Sequence, residues 1–296
     1  MLVNGVVRVQ KSQQPVRERT QFRILRDKLF RYVVFLLSFL IVTPLIVILY
    51  HISLKGLKVV SWDFLFSLPK PAGEQGGGIY NSIVGSIYLV SLGFIFSVPL
   101  GVAVGIYVSE RKETLLAKLT GQLSSVMQGV PSIVVGIIVY CWLVLPFRTF
   151  SALAGGVALA IMMVPLVIKA TEETLNALPS SLREASYTLG VSYSRTVLKV
   201  LVPSALNGII TGILVSVTRV FGETAPLLFT SFGSQYLSYS ILKPIDAIPL
   251  RVYTYAMSPY PEWHDLAWGA SFVLATIVVT LNILTKVIQR RCKVRF

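Results

Sequence analysis

Two charges stand out because they close an otherwise apolar run. Arg219 and Glu223 lie four residues apart at the end of the stretch Val200–Phe221, a spacing that places them on one helix face where they can pair. An ionisable side chain within a membrane is costly unless it faces protein or water, so the position suggests a pathway. The plainer alternative is an ion pair that only fastens helices or sits at the interface, since Phe221 and Gly222 already approach headgroup depth. Position favours the pathway.

A second group, residues 180–203, is polar, charged and turn-rich, yet lies between two apolar runs each long enough to cross a bilayer. Leu182, Ala185 and Leu189 share one helical face while Arg183 and Glu184 project elsewhere. Gly190 supplies a left-handed stop. A second short helix is expected to start at Ser192 or Ser194 and run toward Pro203. Locally, Ser181 can cap the first helix, with Glu184 at N3 completing a capping box. The spacing of Ala185, Leu189, Gly190, Val191, Ser192, Thr196 and Val197 also allows a DNA-reading helix-turn-helix. A duplex could not easily reach so short a loop pinned at both ends to membrane spans, and a nucleic-acid partner is not expected.

Enzyme signatures are otherwise missing. There is no G-x-x-x-x-G-K-[ST] run to cradle ATP. His51 and His264 are far apart and have no Cys or carboxylate cluster at metal spacing. Cys141 sits in an apolar run and Cys292 in a basic tail, so no structural disulfide is expected between them. The chain should therefore carry no catalytic residue, no metal and no cofactor of its own.

The elements that must position these residues follow from composition. The chain has 296 residues, 54% hydrophobic and only 14% charged, with a mean hydropathy of +0.72. These values define an all-α, polytopic membrane protein. Six spans of about 20 residues are expected, near residues 32–54, 83–108, 123–146, 152–168, 200–221 and 266–288. The net charge of +14 might suggest nucleic acid, but the basic residues gather on one side of these spans. They lie in a basic tail over residues 1–31 (Arg8, Lys11, Arg17, Arg19 and others), in the loops holding Arg111, Lys112, Lys118, Lys169, Arg183, Arg195 and Lys199, and in a second basic tail over residues 289–296. By the positive-inside rule both termini are expected to be cytoplasmic, flanking a six-span transmembrane domain over residues 32–288. Lys55, Lys58, Lys70, Arg148, Lys243 and Arg251 fall on the outer side. The four tryptophans, Trp62, Trp142, Trp263 and Trp268, lie near the same outer surface, as an aromatic belt would.

The uncharged stretch 224–242 is rich in Ser, Thr and Gly and would break the parity, so it is expected to be outer or re-entrant rather than a seventh span. Gly101 with Gly105, and Gly208 with Gly212, form G-x-x-x-G pairs inside spans. Their expected role is close helix packing.

Several segments together resemble a known family. Glu184, Ala185, Ser186, Gly190, Val200, Val202 and Pro203 resemble the EAA loop of ABC importer permeases, with Ser in place of the second Ala. RVFGETAPLLF at 219–229, PLGVAVGIYVSE at 99–110 and GVPSIVVGI at 129–137 are similar, in the same order, to PstA-type permeases of phosphate ABC importers. The resemblance implies the type I, MetI-like permease fold in a prokaryotic inner membrane. It makes Glu184, Ala185, Ser186 and Gly190 the coupling helix for a separate ATPase. It also implies that Arg219, Glu223, Ser132 and Thr224 border the path of inorganic phosphate, although Pro131 and Ser132 read equally as a kink in a span. A guanidinium matches two oxygens of a tetrahedral oxyanion, and Glu223 can neutralise it when no anion is present. The implied partners are a second permease (PstC type), two ATP-binding subunits (PstB type) that hold ATP and Mg, and an extracytoplasmic phosphate-binding protein (PstS type). The alternatives are a permease for sulfate or molybdate, or an ATP-independent secondary transporter or channel. The last predicts an inverted repeat that is not visible.

Overall fold

The computed structural model describes residues 14–71, 73–74 and 76–291, without the side chains of 14–22, 25, 290 and 291. Arg8 and Lys11 of the expected N-terminal tail, and Cys292, Lys293 and Arg295 of the C-terminal one, lie outside the described residues. The chain divides into two units, 1–51 and 52–296. Most of α1 (Gln14–Val59) belongs to the first. Phe35, Leu36, Phe39 and Ile41 on successive faces of that helix are all more than 60% exposed. A helix apolar all round is stable in lipid, not in water.

The second unit is built on one helix, α6 (Ala152–Asn176). Around it stand α3 (Tyr80–Glu110), α4 (Leu115–Met127), α5 (Ser132–Phe147) and α8 (Tyr193–Phe221). The long helix α11 (Pro261–Arg291) packs on α8. Short helices α2 (Trp62–Phe66), α7 (Ser180–Thr188), α9 (Ala225–Thr230) and α10 (Ile248–Ala256) fill the connections. Five helices are long and apolar enough to cross a membrane, or six if the bent pair α4–α5 is one span.

Both G-x-x-x-G pairs close on α6, which explains why it is the most enclosed of the spans. A Cβ on Gly101 would lie 2.7 Å from the Val167 Cβ, and one on Gly105 2.6 Å from that of Thr171. The order of these contacts makes α3 and α6 parallel. On another face of α6, Gly208 and Gly212 of α8 meet Thr174 and Ala170, so α8 runs antiparallel to it. Without a hydrophobic force between helices in lipid, such backbone proximity supplies the dispersion contacts that hold a bundle together.

The expected third span, 123–146, is not a straight helix. It is α4 and α5, bent by 106°. The break falls at Gly129, Val130 and Pro131. Pro131 has no N–H and sits at φ −58°, ψ 132°, where a helix can begin but not continue. The reading of Pro131 and Ser132 as a kink is therefore correct. Further along, α5 takes a π turn over Tyr140–Val144.

The stretch 224–242 is not a seventh span either. It holds α9 and then folds back over the start of α6. There the Thr230, Lys243 and Ile241 carbonyls accept from the Ser151, Ala152 and Leu153 N–H groups at 2.9–3.0 Å. These donors have no partner within their own helix, so the returning segment caps it. Beneath this segment lies a fully enclosed polar cluster. Arg251 donates to Asp246 from Nε at 2.7 Å and Nη2 at 2.6 Å. The Ser82 hydroxyl donates to the same carboxylate at 2.5 Å, and Asn81 Nδ2 and Arg251 Nη2 both reach the Ser234 carbonyl. Burial pushes the Asp246 carboxyl above the ordinary carboxylate range, against the opposing pull of Arg251 and Ser82. Arg251, expected as an outer-loop surface charge, is instead 4% exposed.

Candidate functional site

Two groups of side chains remain once the packing is accounted for, one beside the middle of α6 and one at its Asn176 end. Beside Ile161 and Met162 of α6, a cavity of about 270 Å³ opens between α4, α5, α6 and α8. Its wall is mostly apolar, with Val135, Ile138, Trp142 and Met162, and it includes Gln128 and Arg219. Arg219 is in the last turn of α8 and is solvent-accessible. It forms no hydrogen bond or ion pair with any described residue, which leaves its planar donors open to the cavity.

The expected Arg219–Glu223 pair does not form. The helix ends at Phe221 with Gly222 as its C-cap, so Glu223 is no longer on the turn above Arg219. Glu223 is half-buried, and neither it, Ser132 nor Thr224 lines the cavity. Ser132 is the first residue of α5 and Thr224 precedes α9. They belong to elements in contact with each other: a Cβ on Gly136 of α5 would lie 2.7 Å from the Pro226 Cα of α9. Thus the GVPSIVVGI and GETAPL segments meet closely, Gly136 against the Pro226 backbone.

At the Asn176 end is the helix-turn-helix. The first helix runs Ser180–Thr188 and Gly190 follows at φ +72°, a conformation that favours glycine. The second starts at Tyr193 with Ser192 as its N-cap and merges, through a π turn at Val197–Leu201, into the span that ends at Phe221. The expected capping box is absent. Pro179 holds the N-cap position, which moves Ser181 inside the helix and Glu184 too far along it to reach back. The apolar face expected over Leu182, Ala185 and Leu189 is only partly covered. Leu182 packs against the Leu175, Val197 and Leu201 cluster and Ser186 is 5% exposed, whereas Leu189 is 81% exposed. Glu184 and Ala185 are exposed as well, and so is Gly190.

Contacts not foreseen from the sequence anchor this loop. Arg183 forms a bidentate ion pair with Glu110, with one arm at 2.8 Å. The Arg111 guanidinium lies 5.5 Å from the Tyr193 ring centroid, and Ser186 and Thr196 share a hydrogen bond of 2.8 Å across the turn. The only signal in the sequence is opposite charge on residues far apart in the chain, which has no periodicity to reveal it.

A membrane bundle with a sharply bent helix pair, α4–α5, and a polar helix-turn-helix leading into α8 has the architecture of a permease of the ABC-transporter kind. Solved structures share that fold. A chain of the inward-facing MetNI methionine ABC transporter matches with a TM-score of 0.56 and 20% identity, covering 72% of this chain and 94% of that one. An amino acid ABC transporter gives a TM-score of 0.53 at 18% identity, covering 72% and 93%. The family described as binding-protein-dependent transport system inner membrane component matches residues 97–295. The phosphate transport system permease protein PstA of Yersinia pestis is 40% identical over 84% of this chain and 85% of its own length. The probable PstA of Methanocaldococcus jannaschii is 38% identical over 90% and 94%, and that of Haemophilus influenzae 37% over 81% and 85%. The chain belongs to this family of inner membrane transport components, among the PstA-type permeases.

Proposed function

We propose that the chain is a transmembrane permease subunit of an ATP-driven phosphate importer, forming half of the translocation path. The observation that carries the reading is an unpaired guanidinium, Arg219, on the wall of an apolar cavity, in a chain whose relatives across most of its length are named phosphate permeases. In a poorly hydrated cavity an anion bound by parallel charge-assisted hydrogen bonds is stabilised strongly enough to enter. A single cationic contact leaves it free to depart. Glu223, Ser132 and Thr224 stand close in sequence or on the adjoining elements and would join the path when the helices rearrange.

The Asn176 end of the bundle faces the cytoplasm, with both termini on that side. There Glu184, Ala185, Ser186 and Gly190 form the coupling helix, and the outward Leu189 offers an apolar contact to a groove on the ATPase. ATP and Mg are held by that partner. The complex contains a second permease of PstC type, two ATP-binding subunits of PstB type and an extracytoplasmic phosphate-binding protein of PstS type. Closure of the ATPase pair pushes on α7, opens the bundle outward and admits phosphate near Arg219; hydrolysis reverses the motion.

The test is reconstitution of the complex purified from native membrane, with labelled anion uptake measured in vesicles. Phosphate should accumulate only with ATP and with all subunits present, and excess sulfate or molybdate should not compete. Competition by sulfate at equal concentration would reassign the substrate, and uptake by the chain alone would remove the importer reading.

A further inference from the structure

Glu110 and Arg111 are adjacent residues at the end of α3, and each holds a different arm of the helix-turn-helix. Glu110 takes α7 through the bidentate pair with Arg183, in which the Glu110 side chain is 3% exposed and that of Arg183 31%. Arg111 takes the start of α8 by lying over Tyr193 at 5.5 Å. The two arms are tied to each other by Ser186 and Thr196. Just before them, Ser109 donates to the Asn176 side chain at 2.7 Å, tying α3 to the end of α6.

The other contacts of α7 with the bundle among the described residues include the Ser186–Thr196 hydrogen bond to the start of α8 and the apolar contact of Leu182 with the cluster around Leu175 and Leu201. A single half-buried leucine fixes the rotation of a short helix only weakly, unlike packing that interdigitates over several turns. A fork-to-carboxylate pair fixes both distance and orientation. We infer that Glu110 and Arg111 are positioning residues that fasten both arms of the coupling loop to α3, so that a displacement of α7 is delivered to α3 as a rigid movement. From there it passes to α6 through the seam at Gly101 and Gly105, where the backbones are too close to slip. This rests on the proposed role of α7 in coupling to the ATPase.

The experiment measures phosphate uptake and ATP hydrolysis in the same vesicles containing the whole complex. Glu110→Gln and Arg183→Glu should each leave the amount of co-purifying ATPase unchanged and lower phosphate moved per ATP hydrolysed by about tenfold or more, and the reciprocal exchange Glu110→Arg with Arg183→Glu should restore about half or more of it. Glu110→Asp, which keeps the charge at shorter reach, should fall between. The inference is overturned if the single variants keep the normal ratio. It is also overturned if the ATPase is lost with them, or if the assembled exchange variant recovers nothing. Glu184→Lys is run in parallel: if it uncouples while Glu110→Gln does not, only the positioning role fails, and if it changes nothing, the coupling role of α7 fails with it.

Discussion

Arg219 stands on a mostly apolar wall and is paired with no carboxylate among the described residues, so its donors are available to an anion. Its replacement by Gln keeps shape and some hydrogen bonding but removes the charge. Since a hydrogen bond to a charged group contributes about 1.5–3 kcal/mol, phosphate uptake by Arg219→Gln should fall roughly 10- to 100-fold. Membrane abundance and subunit stoichiometry should stay normal, as measured by labelled uptake and quantitative immunoblotting. Asp246 is the opposite case, a charge whose partners are all present. Asp246→Asn leaves Arg251 enclosed with its charge uncompensated, and the loss should be about 3–5 kcal/mol. A lowered midpoint of thermal unfolding in detergent would register it. Arg219 was legible in the sequence because a charge interrupting an apolar run is rare. Asp246 and Arg251 were not, because two ordinary loop residues five apart carry no sign that the chain above them folds shut.

At the level of elements, α7 gathers the residues that face away from the bundle. Glu184→Lys should abolish ATP-dependent uptake and reduce ATPase co-purification while the permease still inserts, which membrane fractionation and affinity capture of the complex would check. Gly105→Val should wedge α3 from α6, because the added side chain meets Thr171 and the Ile168 carbonyl. Overpacking of that kind costs about 1–3 kcal/mol, readable in the same unfolding assay. The spans themselves were plain from hydropathy, and the close helix contacts from paired glycines. The helix break at Pro131 was legible only as a kink, since sequence marks where a helix stops but not the angle at which the next departs. The capping box failed because Pro179, fixed at a suitable φ, began the helix two residues earlier than Ser181 would have. Periodicity placed Leu189 on the apolar face of α7, and it is exposed on that face; periodicity finds apolar faces without saying whether this chain or another covers them.

For the molecule as a whole, the proposed orientation makes a simple prediction. A cysteine placed at Leu189 should react with an impermeant thiol reagent only from the cytoplasmic side, and one at Tyr236, which is 79% exposed, only from the opposite side. Labelling of intact cells against inverted vesicles distinguishes them, and the reverse pattern would invert the topology. Positive charge on one set of loops foreshadowed this arrangement. The tertiary structure adds that several of these charges are paired: on the inner loops Arg183 with Glu110, Lys169 with Glu172 and Lys118 with Glu113, and on the outer side Arg251 with Asp246.

The seam between α3 and α6 sets a rule for how this protein can drift over generations. Where Gly101 faces Val167 and Gly105 faces Thr171, neither helix has spare volume, so a methyl group gained on one side must be surrendered on the other. Sequence change along that line can proceed only as reciprocal exchanges, such as Gly101→Ala accompanied by Val167→Gly, which removes the Cβ it would meet, while the lipid-facing flanks of the same helices remain free to vary one residue at a time.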